Sequence, residues 1–338
     1  MTTTRRAFTA QLLTGVAASG GAIGHIAASG GAMAQSAAPA WPTRPVSIVV
    51  PYVPGGPSDL LARSLQGPLQ STIAQSVLVE NRTGANGVVA VQYVTRQPAD
   101  GHTLFIAASG LMTITPVLTA RAPFDPETDL TALTLAISAP NLMVVNPTVP
   151  ATNLTELIAW LKANPTRASY GSSGIGSSEH LGMELFKLRT GTEQTHIPYP
   201  GGGAAATDLL SGTLQLALLN IATVAAHVQA GRLRPIAVGG TRRHPLLPEV
   251  PTFAEAGLAD YTTGSWHGIV APRGLPAPLQ ARVEETLRTT LRNPEIAARL
   301  AATGFTVEAT DGATLSRIIS ADLIRWREVV RSAGISVA

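Results

Sequence analysis

Three short apolar runs in this chain end in glycine or serine and pass at once into a stretch with helical spacing. Residues 46–50 run into Pro54-Gly55-Gly56-Pro57-Ser58-Asp59, residues 103–107 into Ala108-Ser109-Gly110, and residues 168–171 into the loop from Ser172 to Ser178. Short β-branched strands that alternate with amphipathic helices bury their apolar faces as layers, so the repetition predicts an α/β fold with a largely parallel sheet.

The first cycle reads as strand 46–50, helix 59–70, strand 76–80, helix 88–97 and strand 103–107. "PNLMVVNP" (140–147) opens a second cycle, with a helix at 154–163 behind an N-cap at Thr152 or Asn153 and a strand at 168–171. Helix 179–190, strand 195–199, helix 203–211, strand 214–220, helix 223–230 and strand 233–240 follow. "WHGIVAP" (266–272) is a further strand, and helices 278–292 and 315–332 flank a short strand at 305–308. Strands at 142–145 and 267–270 are expected to cross between two lobes. That predicts one discontinuous lobe, 35–139 with 268–338, and a second lobe, 140–267.

The N-terminus carries Arg5 and Arg6, then a long, mildly apolar stretch, then Ala32-Met33-Ala34. This is the layout of a cleaved secretory signal, 1–34, cut near Ala34, and it predicts export to the periplasm. Thr4-Arg5-Arg6-Ala7-Phe8 also resembles a twin-arginine motif, so either export route fits. Beyond Ala34 no apolar run approaches the roughly 20 residues of a bilayer span, and a soluble mature protein is expected.

Hydrophobic residues make up 45% of the 338 and charged residues 13%, which excludes a disordered chain. The net charge of +3 falls to 3 − 2 = +1 without the two leader arginines, and the basic residues are scattered. No nucleic-acid partner is expected. There is no cysteine, which excludes disulfides and thiolate chemistry.

A Gly-rich strand end at a helix start suits an oxyanion, because free backbone N–H groups and the positive end of the helix dipole converge there. A tight turn with Ser58 capping its helix is the plainer alternative for any one such loop. None of the three is a nucleotide loop: G-x-x-x-x-G-K-[ST] is absent, and no G-x-G-x-x-G follows a strand. Ser172, Ser173, Ser177 and Ser178 near Glu179 and His180 superficially suggest a hydrolase, but there is no G-x-S-x-G elbow, and neighbouring helix residues point apart. The seven histidines form no H-x-x-x-H or H-E-x-x-H pair, so no catalytic residue, metal or cofactor is predicted. Tyr199, before Pro200-Gly201-Gly202-Gly203, suits either a hydroxyl donated to a cleft ligand or a cover over the core.

Many ordered blocks resemble the Bug, or TctC-like, periplasmic receptors of tripartite tricarboxylate transporters. They include "WPTRPVSIVVPYVPGGPSDLLAR", "VLVENRTGANGVVA", "PADGHTLFIAASG", "YGSSGIGSSEHLGMELF", "THIPYPGGGAAATDLLSG" and "LPEVPTFAEAGLADY". The resemblance implies a type II periplasmic-binding fold that closes on a small carboxylate held by backbone amides. It points to Tyr52, Pro54, Gly55, Gly56, Ser58, Asp59, Ala108 and Ser109 in the first lobe. In the second it points to Ser172, Ser173, Gly174, Ser177, Ser178, His180, Tyr199 and Asn220. Three positions depart from the family pattern. Leu219-Asn220 stands where many relatives have an Asp, Pro200 replaces a common Lys, and His267 replaces an aromatic or apolar residue. His267 is then either a ligand donor or a hinge residue, with the second favoured.

The resemblance implies a non-enzymatic, monomeric receptor that delivers ligand to the membrane subunits of a tripartite transporter. A receptor that reports ligand to a sensor kinase would use the same closing cleft. A secreted hydrolase using a serine of 172–178 is the third alternative, and no ester turnover is expected.

Overall fold

The computed structural model describes residues 41–119 and 124–335; the expected leader, 1–34, lies outside them. The first half holds β1 (Val46–Val50), α1 (Pro57–Ile73), β2 (Val77–Asn81), α2 (Val88–Val94), β3 (Thr103–Ala108) and a short α3 (Thr115–Leu118). A long strand, β4 (Leu130–Val145), leads to α4 (Leu154–Ala163), β5 (Ser169–Ser172), α5 (Ser178–Thr190), β6 (Thr195–Pro198), α6 (Gly202–Ser211), β7 (Leu216–Asn220), α7 (Ile221–Gln229) and β8 (Arg234–Val238). The chain returns through β9 (Gly264–Pro272) and ends with α8 (Ala277–Leu291), α9 (Pro294–Ala302), β10 (Thr306–Val307) and α10 (Gly312–Ser332).

The sheet order is β2-β1-β3-β9-β4-β7-β5-β6. It reads as two parallel triplets, β2-β1-β3 and β7-β5-β6, either side of two antiparallel crossing strands, β9 and β4. This is the expected fold class, two α/β lobes joined by two crossings.

Strand periodicity explains why each triplet is covered on both faces. Side chains alternate sides along a strand, so Ile48 and Val50 join the core under α1 and α8 while Val49 joins the one under α2 and α10. In the second triplet Leu216 and Leu218 pack toward α4 and α5, whereas Ala217 and Leu219 pack toward α6 and α7. Each such Leu or Val, buried completely, contributes about 1.5–3 kcal/mol. Four apolar layers result.

Four elements differ from the sequence reading. β4 continues from Leu130 through Pro140 to Val145, so the crossing is far longer than 142–145. Helix α1 begins at Pro57, a favoured first-turn residue, and runs past Pro68 to Ile73. Pro68 has no N–H for the Ser64 carbonyl four residues back; Arg299 Nη2 donates to that carbonyl instead, at 2.7 Å. Helix α7 starts at Ile221 rather than 223 because Asn220 caps it, its Oδ1 accepting the Ala222 N–H at 3.1 Å. Helix α9, capped by Asn293, was not anticipated at all.

Candidate functional site

The first loop joins β1 to α1. Gly56 is the N-cap and supplies no side-chain acceptor, and Pro57 has no N–H. The amides of Gly56, Ser58 and Asp59 therefore have no intrahelical partner. Ser58 is 1% exposed, and its Oγ has no partner among the described residues. Pro54 and Gly55 are exposed, and Gly55 takes a φ of +92° that only glycine adopts easily. Its amide donates to Asp59 Oδ2 at 2.9 Å.

Asp59 holds this loop rather than facing out of it. Its carboxylate also accepts from Arg63 Nε at 2.9 Å and Asn81 Nδ2 at 3.0 Å, and the residue is 2% exposed. Burial alone would raise its pKa, but the Arg63, Gly55 and Asn81 donors together hold it below the ordinary carboxylate range. Asn81 further ties β2 to the carbonyl of Tyr52 at 3.0 Å. Burial pushes the Tyr52 phenol up to about 12.

Ala108 ends β3, beside β1 in the sheet, Ser109 follows it, and both are buried. Ser109 Oγ accepts the Trp266 N–H at 3.3 Å. The next turn meets the second lobe: a Cβ on Gly110 would sit 4.0 Å from the Gly176 carbonyl, and one on Gly176 would meet Leu118 at 2.8 Å. The β3 loop and the β5 loop are thus in contact.

The β5 loop is built by its own hydroxyls. Ser172 Oγ lies 2.7 Å from His196 Nε2 and accepts the Gly174 N–H at 3.2 Å. Ser173 Oγ donates to Glu179 at 2.6 Å, Ser177 Oγ caps α5 through the His180 N–H at 3.1 Å, and Ser178 Oγ lies 3.5 Å from the amide of buried Asn141. Among the described residues, no carboxylate is hydrogen-bonded to His196, the base beside Ser172, so the Ser-His-acid array of a hydrolase is not formed there. The first-turn amides Ser178 and Glu179 have no intrahelical acceptor, so backbone N–H groups are what this loop has to offer. Neither loop contains Lys or Arg.

Three expected residues have protein partners. The Tyr199 hydroxyl donates to Asp208 Oδ2 at 2.6 Å; burial first, then that carboxylate, raises it to about 12. His180 is 6% exposed and its Nδ1 accepts the Gly176 N–H at 3.1 Å. Asn220 caps α7 and donates to Ser265 Oγ at 3.2 Å, tying the end of β7 to the start of β9. His267 is buried in mid-sheet between Ala108 and Ile137, edge-on to Phe305, and burial pushes it down to about 4.

His196, Asn81, Asn141 and Asp208 were not anticipated. Each acts on a loop through a partner 9 to 37 residues away, and spacing in the sequence carries no signal for that.

A cavity of about 490 Å³ lies around the crossing segments 138–140 and 262–266, and none of the expected residues lines it. Most of its charges are already paired: Arg325 with Asp322 at 2.7 Å, Arg243 with Glu255 at 2.9 Å, and Glu308 with the Ser138 hydroxyl at 2.6 Å. Among the described residues no three His, Asp or Glu side chains gather as a metal site.

Comparison with known proteins agrees with this arrangement. The family model described as the tripartite tricarboxylate transporter family receptor, TctC, matches residues 61–335. The protein BugT of Bordetella pertussis is 34% identical over 303 residues, which span 89% of this chain and 93% of BugT. Among solved structures, Rpa4515 of R. palustris, determined with adipate, is 35% identical with a TM-score of 0.75, over 88% of this chain and 99% of that one. MatC of Rhodopseudomonas palustris, determined with bound malate, is 28% identical with a TM-score of 0.72, over 86% and 100%. With its two crossing strands, its paired Gly-rich loops and a family match over most of its length, this chain belongs to the TctC family of tripartite tricarboxylate transporter receptors.

Proposed function

We propose that the chain is an exported, non-enzymatic receptor that captures a small organic carboxylate, a dicarboxylate by likeness to its relatives, between a lobe of 35–139 with 268–338 and a lobe of 140–267. The leader would be removed near Ala34, and the loaded form would deliver ligand to transporter membrane subunits. The observation that carries the reading is the matched pair of helix starts. Helices α1 and α5 each begin at the C-terminal end of a parallel strand, with first-turn amides lacking intrahelical acceptors and no cationic side chain in the loop.

Carboxylate oxygens would accept from Gly56 and Ser58 on one side and from Ser178 and Glu179 on the other, with Ser58 Oγ as a further donor. Oriented dipoles do the work of a charge clamp here. The relatives solved with adipate and malate support a dicarboxylate as ligand. Ligand that bridges both loops favours the closed arrangement, and closure is the state a membrane partner would recognise.

The test is a thermal-shift screen of the mature protein against dicarboxylates, tricarboxylates, aromatic acids and amino acids, followed by calorimetry. A ligand at 100 times its Kd stabilises by about 2.7 kcal/mol, so at least one carboxylate class should raise Tm clearly. A flat response across all carboxylates would contradict the reading.

A further inference from the structure

Two histidines, one from a helix and one from a strand, stand directly under the β5 loop. The rings of His180 and His196 stack with centroids 4.0 Å apart and planes 12° apart, and His196 stacks in turn on Tyr170 at 4.8 Å. His180 Nδ1 accepts the Gly176 N–H at 3.1 Å, and His196 Nε2 meets Ser172 Oγ at 2.7 Å. The stack therefore grips both ends of a loop whose Gly174 and Gly176 have φ of +123° and +77°. Ladder hydrogen bonds stop at Ser172, so this grip shapes the loop together with the Ser173–Glu179 and Ser177–His180 bonds.

We propose that His180 and His196 are a positioning pair for the second-lobe loop and make carboxylate capture sensitive to acid. A proton on His180 Nδ1 turns the acceptor of the Gly176 amide into a donor, and donor then faces donor. The pair rests on the proposed carboxylate site, because it acts through one of its two loops. Among the charges around the stack, the Glu184 carboxylate favours an imidazolium on His180 and Lys187 opposes one. On α5, Glu184 is held by Lys187 at 3.0 Å and by the Tyr170 hydroxyl of β5 at 2.7 Å; Glu193 lies 3.7 Å from Lys187, and Glu179 is taken by Ser173 at 2.6 Å. Burial, then the neighbouring ring, holds His196 down at about 4, and burial lowers His180 despite Glu184. Both rings are thus neutral at neutral pH, and acid acts on the pair.

The experiment is a pH titration of the ¹⁵N-labelled mature protein by NMR, read without ligand, together with adipate calorimetry at pH 7.5 and 5.0. At pH 7.5 His180 Nδ1 should show the shift of an unprotonated nitrogen, and the Gly176 amide should move with the His180 midpoint. His180→Asn keeps an acceptor near the Nδ1 position but cannot titrate. The wild type should lose at least threefold more adipate affinity than His180→Asn between the two pH values, the protonation of adipate itself being common to both. A protonated Nδ1 at pH 7.5, a Gly176 amide that stays flat through the His180 titration, or equal losses in the two proteins would overturn the proposal. If adipate binds neither protein, adipate is not the ligand, and the ligand-free titration alone decides on the pair.

Discussion

The Asp59 carboxylate accepts the Gly55 amide at 2.9 Å, so the first Gly-rich loop is latched by the helix that follows it. The same carboxylate accepts from Arg63 and Asn81. One buried acid thus satisfies three donors from the loop, the helix and the neighbouring strand.

Removing it unlatches the loop, although Gly55 and the half-exposed Arg63 can turn to water and Asn81 keeps the Tyr52 carbonyl. Asp59→Ala should cost about 1–2 kcal/mol of stability and weaken carboxylate binding through the loosened loop. Urea denaturation with calorimetry checks both. A stable variant with unchanged affinity would show that the latch has no part in the site.

Gly56 has nothing within 4 Å of where a Cβ would stand. A Cβ there meets no protein atom, and a larger side chain would stand beside the amides proposed to hold the ligand. Gly56→Val should keep the fold at a cost of about 1 kcal/mol for a poorer N-cap, while carboxylate affinity falls at least tenfold. Wild-type affinity by calorimetry would remove the first loop from the site.

Tyr199→Phe separates two roles of one hydroxyl. With the hydroxyl bonded to Asp208 at 2.6 Å, its loss should cost about 1–2 kcal/mol of stability and leave ligand affinity within about twofold of wild type. A much larger drop in affinity, with stability unchanged, would place the hydroxyl on the ligand.

Buried neutral imidazoles make the fold acid-sensitive. His196 and His267 are both pushed down to about 4, whereas in the unfolded chain they protonate near pH 6.5. Between those values the unfolded chain binds more protons, so stability is complete above about pH 6.5 and is lost as pH falls toward 4. For His267, 5% exposed, the loss approaches about 3 kcal/mol; for His196, half-buried, it is smaller. The His267 Nδ1 has no partner among the described residues, so His267→Phe leaves nothing unpaired. That variant should flatten the fall of Tm between pH 7 and 4.5, and an unchanged slope would remove His267 from the acid response.

The layered α/β architecture was legible because alternation along 46–50 and 214–220 is local information. The long crossing was less so: Leu130–Ala139 is a nearly unbroken small and apolar run whose period suits helix or strand alike. Residue types at the loops pointed to an anion, and the structure adds the protein partner of each group. Gly55, Asp59, Tyr199 and His180, to which the family resemblance points as ligand contacts, each have a protein partner that residue type and place do not reveal. Asn220 shows why: its partner Ser265 is 45 residues away on the other crossing strand.

A ¹⁵N–¹H spectrum of the mature protein, free and saturated with the best binder from the carboxylate screen, reads both helix starts at once. Downfield amide shifts should be concentrated at Gly56, Ser58, Ser178 and Glu179. Shifts confined instead to residues 239–245 and 262–266, around the cavity at the crossing strands, would contradict a site at the helix starts.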